Sequence, residues 1–517
     1  MDKEQTKGEE LKEKLFAEKK DTYSAMDAAE TEAAYKYCDG YMDFLRHVKT
    51  ERETVAETEK LLLENGFKPF EYGAKYKCGD KLYLNNRGKA IYIIVVGSDS
   101  LDEGISIAAA HIDSPRIDLK QNPLYEDGGM AFFKTHYYGG IKKYQWVTIP
   151  LALHGTVVKK DGTKIDVCIG EDESDPVFCI TDLLPHLGAQ QSAKTLGTAF
   201  TGENLNILVG SRPYDDEKLT KGDAIKLKVL EYLNDRYGIT EEDFLSSELC
   251  LVPAEKPRDL GFDRSMIISY GHDDRVCAYP IVTATLEAMN SNPKNTMVTI
   301  LADKEETGSD GNTGMQSYAF ENMLAELALA TGANYRKMMS KSKCLSADVN
   351  ACFDPNFADV YEAKNAAFIN KGVSVTKFTG ARGKSSTNDA HAEYVAEIRN
   401  IFDNGGVTWQ MAELGKVDQG GGGTVAMYIS ELNVDTIDVG VPVLCMHAPY
   451  EVVSKTDVYM AHKAFCAFFE REGGQVYDVH GNKCRRGNAR TVLQVQVLCD
   501  CTRKRRQRTE TPFFVQA

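Results

Sequence analysis

The chain has 517 residues, of which 43% are hydrophobic and 26% charged, a balance that supports a sizeable core and a soluble globular protein of roughly two to four domains, or one large domain carrying an insertion. A net charge of −15 and a pI near 5.3 argue against nucleic acid as the main partner, because phosphate binding wants a basic surface. No apolar run is long enough to span a bilayer, the charged start "MDKEQTKGEELKEKLF" has no signal-peptide core, and the 13 scattered cysteines include no C-x-x-C pair; a cytoplasmic protein with reduced thiols is expected.

Residues 1–66 read as helical and highly charged, with a stop at Asn65-Gly66. "KAIYIIVVG" (89–97) and "ISIAAAHID" (105–113) are short apolar runs bounded by turn residues and predict buried strands. From 118 to 253 the texture becomes rich in Pro, Gly and alternating segments such as "WVTIPLALHGTVV", "TKIDVCIG" and "AIKLKVLEYL", which predicts a strand-rich insertion. Helices and strands alternate again from 254 to 472: "SMIISYGHDD", "TMVTILADKEE", "KCLSADVNA" and "DTIDVGVPVLCMHAPYE" read as strands. "RVCAYPIVTATLEAMN" reads as a helix, and "SKTDVYMAHKAFCAFFE" as a capped amphipathic one. That alternation predicts an α/β fold with a largely parallel sheet covered on both faces. Beyond 472 the chain turns basic. "RKRRQR" fits a nucleic-acid or localisation patch, but an appended or disordered tail over 473–517 is the plainer reading.

Five strand ends carry metal-ligating residue types: His111 and Asp113; His272, Asp273 and Asp274; Glu305 and Glu306; Asp348; and His447. In an open α/β sheet, sites form beyond the carboxyl ends of the strands, and mixed carboxylate and imidazole donors suit zinc, cobalt or manganese. Taken singly, each also reads as a core histidine, a solvated turn or a surface carboxylate. The spacing alone leaves a dinuclear metal site and that ordinary reading both open.

The ordered motifs "HIDSPRIDLK", "GHDDR", "DKEETGS", "SADVN" and "MHAPYE" resemble those of the aspartyl-aminopeptidase-type family of dinuclear metallo-aminopeptidases, over roughly residues 20–472, and "HYYGGIKKYQWVTIPLALHG" is similar to its bacterial branch. The resemblance implies a zinc-peptidase domain made of residues 1–117 and 254–472, interrupted by an inserted β-rich, barrel-like oligomerisation domain at 118–253. It implies two divalent ions, zinc first with cobalt or manganese as alternatives, bridged by Asp273. His111 and Asp348 would complete one ion, Glu306 and His447 the other. Glu305 would be the general base and Asp113 would orient His111.

The same resemblance implies short peptides as substrates and a homododecamer whose active sites face an internal cavity, where His186 would reach a neighbouring subunit. "RGKSSTNDAH" and "KVDQGGGGTVAM" look like loops around the pocket for the substrate's first side chain, which puts Arg382, Lys384 and Gly422 at the substrate. The Gly420–Gly423 run lacks the Gly-Lys-Ser/Thr ending of a phosphate loop. Acid-specific relatives carry a histidine where this chain has Ala351, so broader use of N-terminal residues is expected. The competing readings are a metal-dependent deacylase of small N-acyl compounds and a non-catalytic shell or scaffold protein.

Overall fold

The computed structural model describes residues 6–17, 20–216, 218–219 and 223–471. The basic tail at 473–517, with "RKRRQR", lies outside them.

Nine strands form the main sheet. In spatial order they are Lys68–Pro69, Lys81–Asn86, Ala90–Val95, Met297–Ala302, Ser106–His111, Lys343–Ser346, Asp435–Gly440, Val373–Thr376 and Trp409–Met411. The four strands from Met297–Ala302 to Asp435–Gly440 are mutually parallel, so their carboxyl ends emerge on one side. Antiparallel pairs flank them, at Ala90–Val95 on one side and Val373–Thr376 on the other. Strands buried on both faces need near-continuous apolar sequence, and "AIYIIV", "SIAAAH" and "MVTILA" are buried at every position. Alternation then divides them between two cores. Ile91, Ile93 and Val95 pack with helices Ala28–His47, His272–Ala288 and Lys455–Phe469. Tyr92, Ile94 and Val96 pack with Ala319–Thr331 and Tyr335–Lys341.

A second, seven-stranded sheet comes entirely from residues 116–253. Its order is Lys164–Ile169, Leu151–Val158, Ser247–Pro253, Arg116–Asp127, Met130–Tyr138, Ile207–Gly210 and Cys179–Ile180, with antiparallel neighbours throughout. A bridge between Leu151 and Phe178 joins the far edge back to the second strand. A separate core that includes Phe133, Trp146, Phe244 and Leu251 fills it.

Three local expectations are corrected. "AIKLKVLEYL" is not extended: Ala224–Tyr237 is a helix. Its Lys, Leu and Glu residues are good helix formers, Ile225 and Leu233 fall on one buried face, and the Glu126 carboxylate accepts the N–H groups of Ile225 and Lys226 at 2.7 and 3.1 Å. The strand before the paired glutamates stops at Ala302; Lys304 turns left-handed (φ 67°) and Glu305–Thr307 is a 3-10 turn. The helix Lys455–Phe469 is buried almost all round rather than amphipathic, and the Ser454 hydroxyl donates to the Asn370 side chain at 2.7 Å instead of capping it.

Candidate metal centre

His111 ends the strand Ser106–His111 and is fully buried. Its Nδ1 lies 3.0 Å from the backbone carbonyl of Asp113, so Nδ1–H donates there and Nε2 faces inward, 3.0 Å from Asp273 Oδ1. His447 repeats the device. Nδ1 is 2.8 Å from the Gly140 carbonyl, and Nε2 is 3.2 Å from Asp273 Oδ2 and 3.5 Å from Glu306 Oε2. The Asp273 carboxylate therefore stands between two imidazoles, one oxygen towards each.

Asp273 is held by its own backbone. Its N–H donates to Glu451 Oε2 at 3.0 Å, and its carbonyl accepts the Ser114 hydroxyl at 2.6 Å. Glu451 also accepts the His447 N–H at 2.7 Å, so one buried carboxylate braces both residues. The turn into Asp273 requires Gly271 (φ 73°), where a Cβ would sit 1.7 Å from the guanidinium of the buried Arg275.

Glu305 and Glu306 are set by Asp113, whose carboxylate accepts their two N–H groups at 3.1 and 3.2 Å and the Tyr138 hydroxyl at 2.7 Å. The turn sends the two side chains apart. Donor atoms of Glu305, His111 and Asp348 lie within 4.8 Å of one another, as do those of Glu306, His111 and Asp273. Asp348 reaches the group from the loop after Lys343–Ser346; Gly440 makes room for it, since a Cβ there would meet the Asp348 carbonyl at 1.7 Å.

The charges are unbalanced. No lysine or arginine pairs with Asp273, Glu305, Glu306 or Asp348 among the described residues; their ionic neighbours are the two histidines. Burial, together with nearby carboxylates, pushes Glu305 up to about 7 and Glu306 and Asp348 well above the usual carboxylate range. For Asp273 burial works the same way, but the hydrogen bonds to His111 and His447 prevail and hold it low. Burial opposes charging of His447, yet Asp273 and Glu306 raise it to about 10. Glu306 Oε1 is buried without a partner, as are both carboxylate oxygens of Asp274. Carboxylates and inward-facing imidazoles that hold surplus protons in place of cations are what a divalent-metal site requires of its ligands, and the donor set fits that role.

The remaining sequence candidates fall elsewhere. His272 turns away to the Tyr41 hydroxyl at 2.8 Å and is kept neutral by burial. His186 sits exposed in the turn Pro185–Leu187 with no contact to the centre among the described residues. Arg382 and Lys384 line a pocket with Phe378 and Gly420, but Lys384 already pairs with Asp389 at 3.0 Å and lies 3.9 Å over the Phe378 ring. The Gly422 N–H donates to the Thr379 carbonyl at 2.9 Å. The following helix, Ala426–Ser430, reaches the glutamate turn through the Tyr428 hydroxyl, which donates to the Gly308 carbonyl at 3.1 Å. Sequence reasoning assigned no role to Glu451, Tyr138 or Gly140. Their only signals are positional: Glu451 closes "MHAPYE", and the other two lie in "HYYGG".

Residues 44–469 match the family model described as aminopeptidase I zinc metalloprotease (M18). The chain is 49% identical over 462 residues to a probable M18 family aminopeptidase 1 of Clostridium acetobutylicum, covering 88% of this chain and 98% of that one. Its fold is similar to the crystal structure of an M18 aminopeptidase from Thermotoga maritima, with a TM-score of 0.83, 45% identity, and coverage of 88% of this chain and 100% of that one. A more distant fold match, at 21% identity and a TM-score of 0.68, is the S. cerevisiae mApe1 dodecamer, with 84% of this chain and 96% of that one covered.

Proposed function

Since the chain belongs to the aminopeptidase I zinc metalloprotease (M18) family, in its bacterial branch, and is a metal-dependent aminopeptidase, we propose that it removes N-terminal residues from short peptides at a dinuclear centre with Glu305 as general base. The observation that carries this reading is the Asp273 carboxylate, with one oxygen 3.0 Å from His111 and the other 3.2 Å from His447. In this reading Asp273, His111 and Asp348 would hold one ion, and Asp273, Glu306 and His447 the other. Zinc suits these donors, and cobalt or manganese would also be accepted. Bound ions would supply Lewis acidity to the attacking water and the substrate carbonyl.

The chain's own residues do the rest. Asp113 fixes the glutamate turn so that Glu306 faces His447 while Glu305 faces His111 and Asp348. Glu305 takes the proton of the attacking water and returns it to the nitrogen of the leaving amine. Tyr138 and Glu451 act as positioning residues, because each holds a residue of the centre rather than the reacting atoms. Arg382, Lys384 and Gly422 are proposed to shape the pocket for the first side chain.

We also propose that residues 118–253 form an inserted oligomerisation domain, that the insertion is barrel-like, and that the chain assembles as a homododecamer with His186 facing a neighbour. The separate core and the Leu151–Phe178 bridge support the first two parts, and the dodecameric yeast fold relative supports the third. No helix among the described residues is long and apolar enough to cross a membrane, and the proposed setting is the cytoplasm.

The deciding experiment is a peptide panel offered with free and N-acetylated termini to chelated protein, with zinc, cobalt or manganese added back. Release of the first residue from free-amine peptides only is expected. Turnover of the N-acetylated set alone would favour a deacylase, and no turnover with any metal would favour a scaffold.

A further inference from the structure

A second group of ligand-type side chains lies away from the centre, on the face where helices His272–Ala288 and Lys455–Phe469 pack. Glu287 comes from the first helix; His462 and Cys466, one turn apart, come from the second. Donor atoms of all three lie within 4.8 Å of one another. Asp273 begins the first helix, so the helical rise sets the group roughly 20 Å from the metal centre.

The sulfur–nitrogen separation fits a tetrahedral ion, and the nitrogen–oxygen pair, now at hydrogen-bond distance, needs to open by about 0.4 Å. His462 Nε2 is 3.6 Å from Cys466 Sγ and 3.0 Å from Glu287 Oε2. Zinc–sulfur and zinc–nitrogen bonds at the tetrahedral angle put S and N about 3.6 Å apart, and N and O about 3.4 Å apart. The imidazole is already oriented for this. Nδ1 is 2.9 Å from the Thr283 hydroxyl, which is tied in turn to the Tyr37 hydroxyl at 2.8 Å, and the Tyr37 ring packs 4.8 Å from the imidazole. A ligating histidine held through its other nitrogen is the usual supporting arrangement of a metal site. The group is reachable: Glu287 is exposed and Cys466 half-buried, while His462 is buried beneath them. Glu470, one turn beyond Cys466, is the exposed C-cap residue of the same helix.

We propose that Glu287, His462 and Cys466 form an additional, non-catalytic metal site with a thiolate ligand, suited to zinc, that ties helix His272–Ala288 to helix Lys455–Phe469. Binding there displaces the thiol proton, because the ligand is the thiolate. The fourth position is left to water or Glu470. This helix carries Asp273 at one end and Glu287 at the other, so a metal at Glu287 anchors the element on which the catalytic carboxylate stands.

The full chain, stripped of metal and titrated with cobalt(II), provides the test. The ligands proposed for the catalytic centre are nitrogen and oxygen donors, so a near-ultraviolet sulfur-to-cobalt charge-transfer band reports a thiolate site. Wild type should show the band. Cys466→Ala should lose it together with one bound metal per chain, while zinc-loaded aminopeptidase activity is unchanged. Thr283→Val should move its cobalt midpoint upward about 10–100-fold through the loosened imidazole. Glu287→Gln, on an exposed side chain, should also raise the midpoint, and it keeps the test decisive should Cys466→Ala not fold. Absence of the band in folded wild type, a full band in Cys466→Ala, or an unmoved midpoint in Glu287→Gln would each overturn the proposal.

Discussion

The Tyr138 hydroxyl lies 2.7 Å from Asp113 Oδ2, and through that bond a strand of the second sheet touches the carboxylate that carries the glutamate turn. The phenol also lies against Arg116, whose guanidinium sits 4.1 Å from the ring centroid. Tyr138→Phe should keep the packing and remove the donor. Its kcat should fall less than that of Asp113→Asn, which disturbs both N–H contacts of the turn and should cost about 10–100-fold. Steady-state kinetics with metal content measured in parallel would check the order. Equal losses would mean that Tyr138 does more than hold Asp113.

Glu305→Gln and Glu306→Gln should fail in different ways. With the proposed base neutralised, Glu305→Gln should retain its metals and lose ~10²–10⁴-fold in kcat. Glu306→Gln should lose metal first, with activity partly recovered at high metal concentration. Near-normal turnover of metal-replete Glu305→Gln would refute its assignment as the base. Metal analysis beside kcat separates the two variants.

His447→Ala should empty one of the two proposed metal positions, because its Nε2 is the only imidazole nitrogen within 3.5 Å of Glu306 among the described residues. Elemental analysis of dialysed protein reads this directly. An unchanged metal-to-chain ratio would remove His447 from the ligand set.

His154 predicts a stability change on the alkaline side. It is buried between Glu53 at 2.7 Å and Glu171 at 3.1 Å; burial opposes its charge, but the two carboxylates raise it to about 9. A pKa raised above the unfolded value of about 6.5 gives stability that is full below 6.5 and is lost as pH rises through 9. The loss should be on the order of 3 kcal/mol at complete deprotonation. Thermal melts from pH 6 to 10 should show it, and His154→Gln should flatten the slope over that interval. A wild-type melt independent of pH there would contradict the raised pKa.

Ala351 pairs with Val443 in a short parallel ladder just past Asp348. An alanine at this position offers no charge to an acidic side chain. Peptides with apolar N-terminal residues should therefore be cleaved with kcat/KM at least equal to those beginning with Asp or Glu. A strong preference for acidic residues would show that Arg382 or another cation supplies the recognition.

The strand-end residues proposed as ligands were legible in the sequence where a doubly covered parallel strand leaves an apolar run, because whatever polar residue follows it marks the strand's end. His111, Glu306 and Asp348 follow parallel strands of the main sheet in this way, whereas Asp273 follows Met266–Ser269 of a separate antiparallel sheet and His447 follows the two-residue strand Pro442–Val443. What could not be read was the support around them. Asp113 does face the His111 ring, with its carbonyl 3.0 Å and its carboxylate 3.4 Å from Nδ1; what the sequence did not show is that the same carboxylate also carries the glutamate turn. Glu451 acts through its carboxylate on the backbone N–H groups of Asp273 and His447, and Gly140 through its own carbonyl, so neither contact leaves a signature in the residue types that it joins. The helix Ala224–Tyr237 hid for a related reason. Its lysines and leucines satisfy both periods, and a carboxylate from a distant strand sets its start.

The contacts at the metal centre also set an order of events in synthesis. His111 meets Asp273 across 162 residues, Asp113 meets the Glu305 backbone across 192, and the Gly140 carbonyl meets His447 across 307. Contacts of such long sequence separation are costly to close and form late. A ribosome-bound chain that has not yet emerged through His447 lacks an imidazole of the centre, however well its earlier strands have paired. Nascent fragments should therefore bind metal weakly, and full-affinity metal capture should mark the end of folding rather than guide its start.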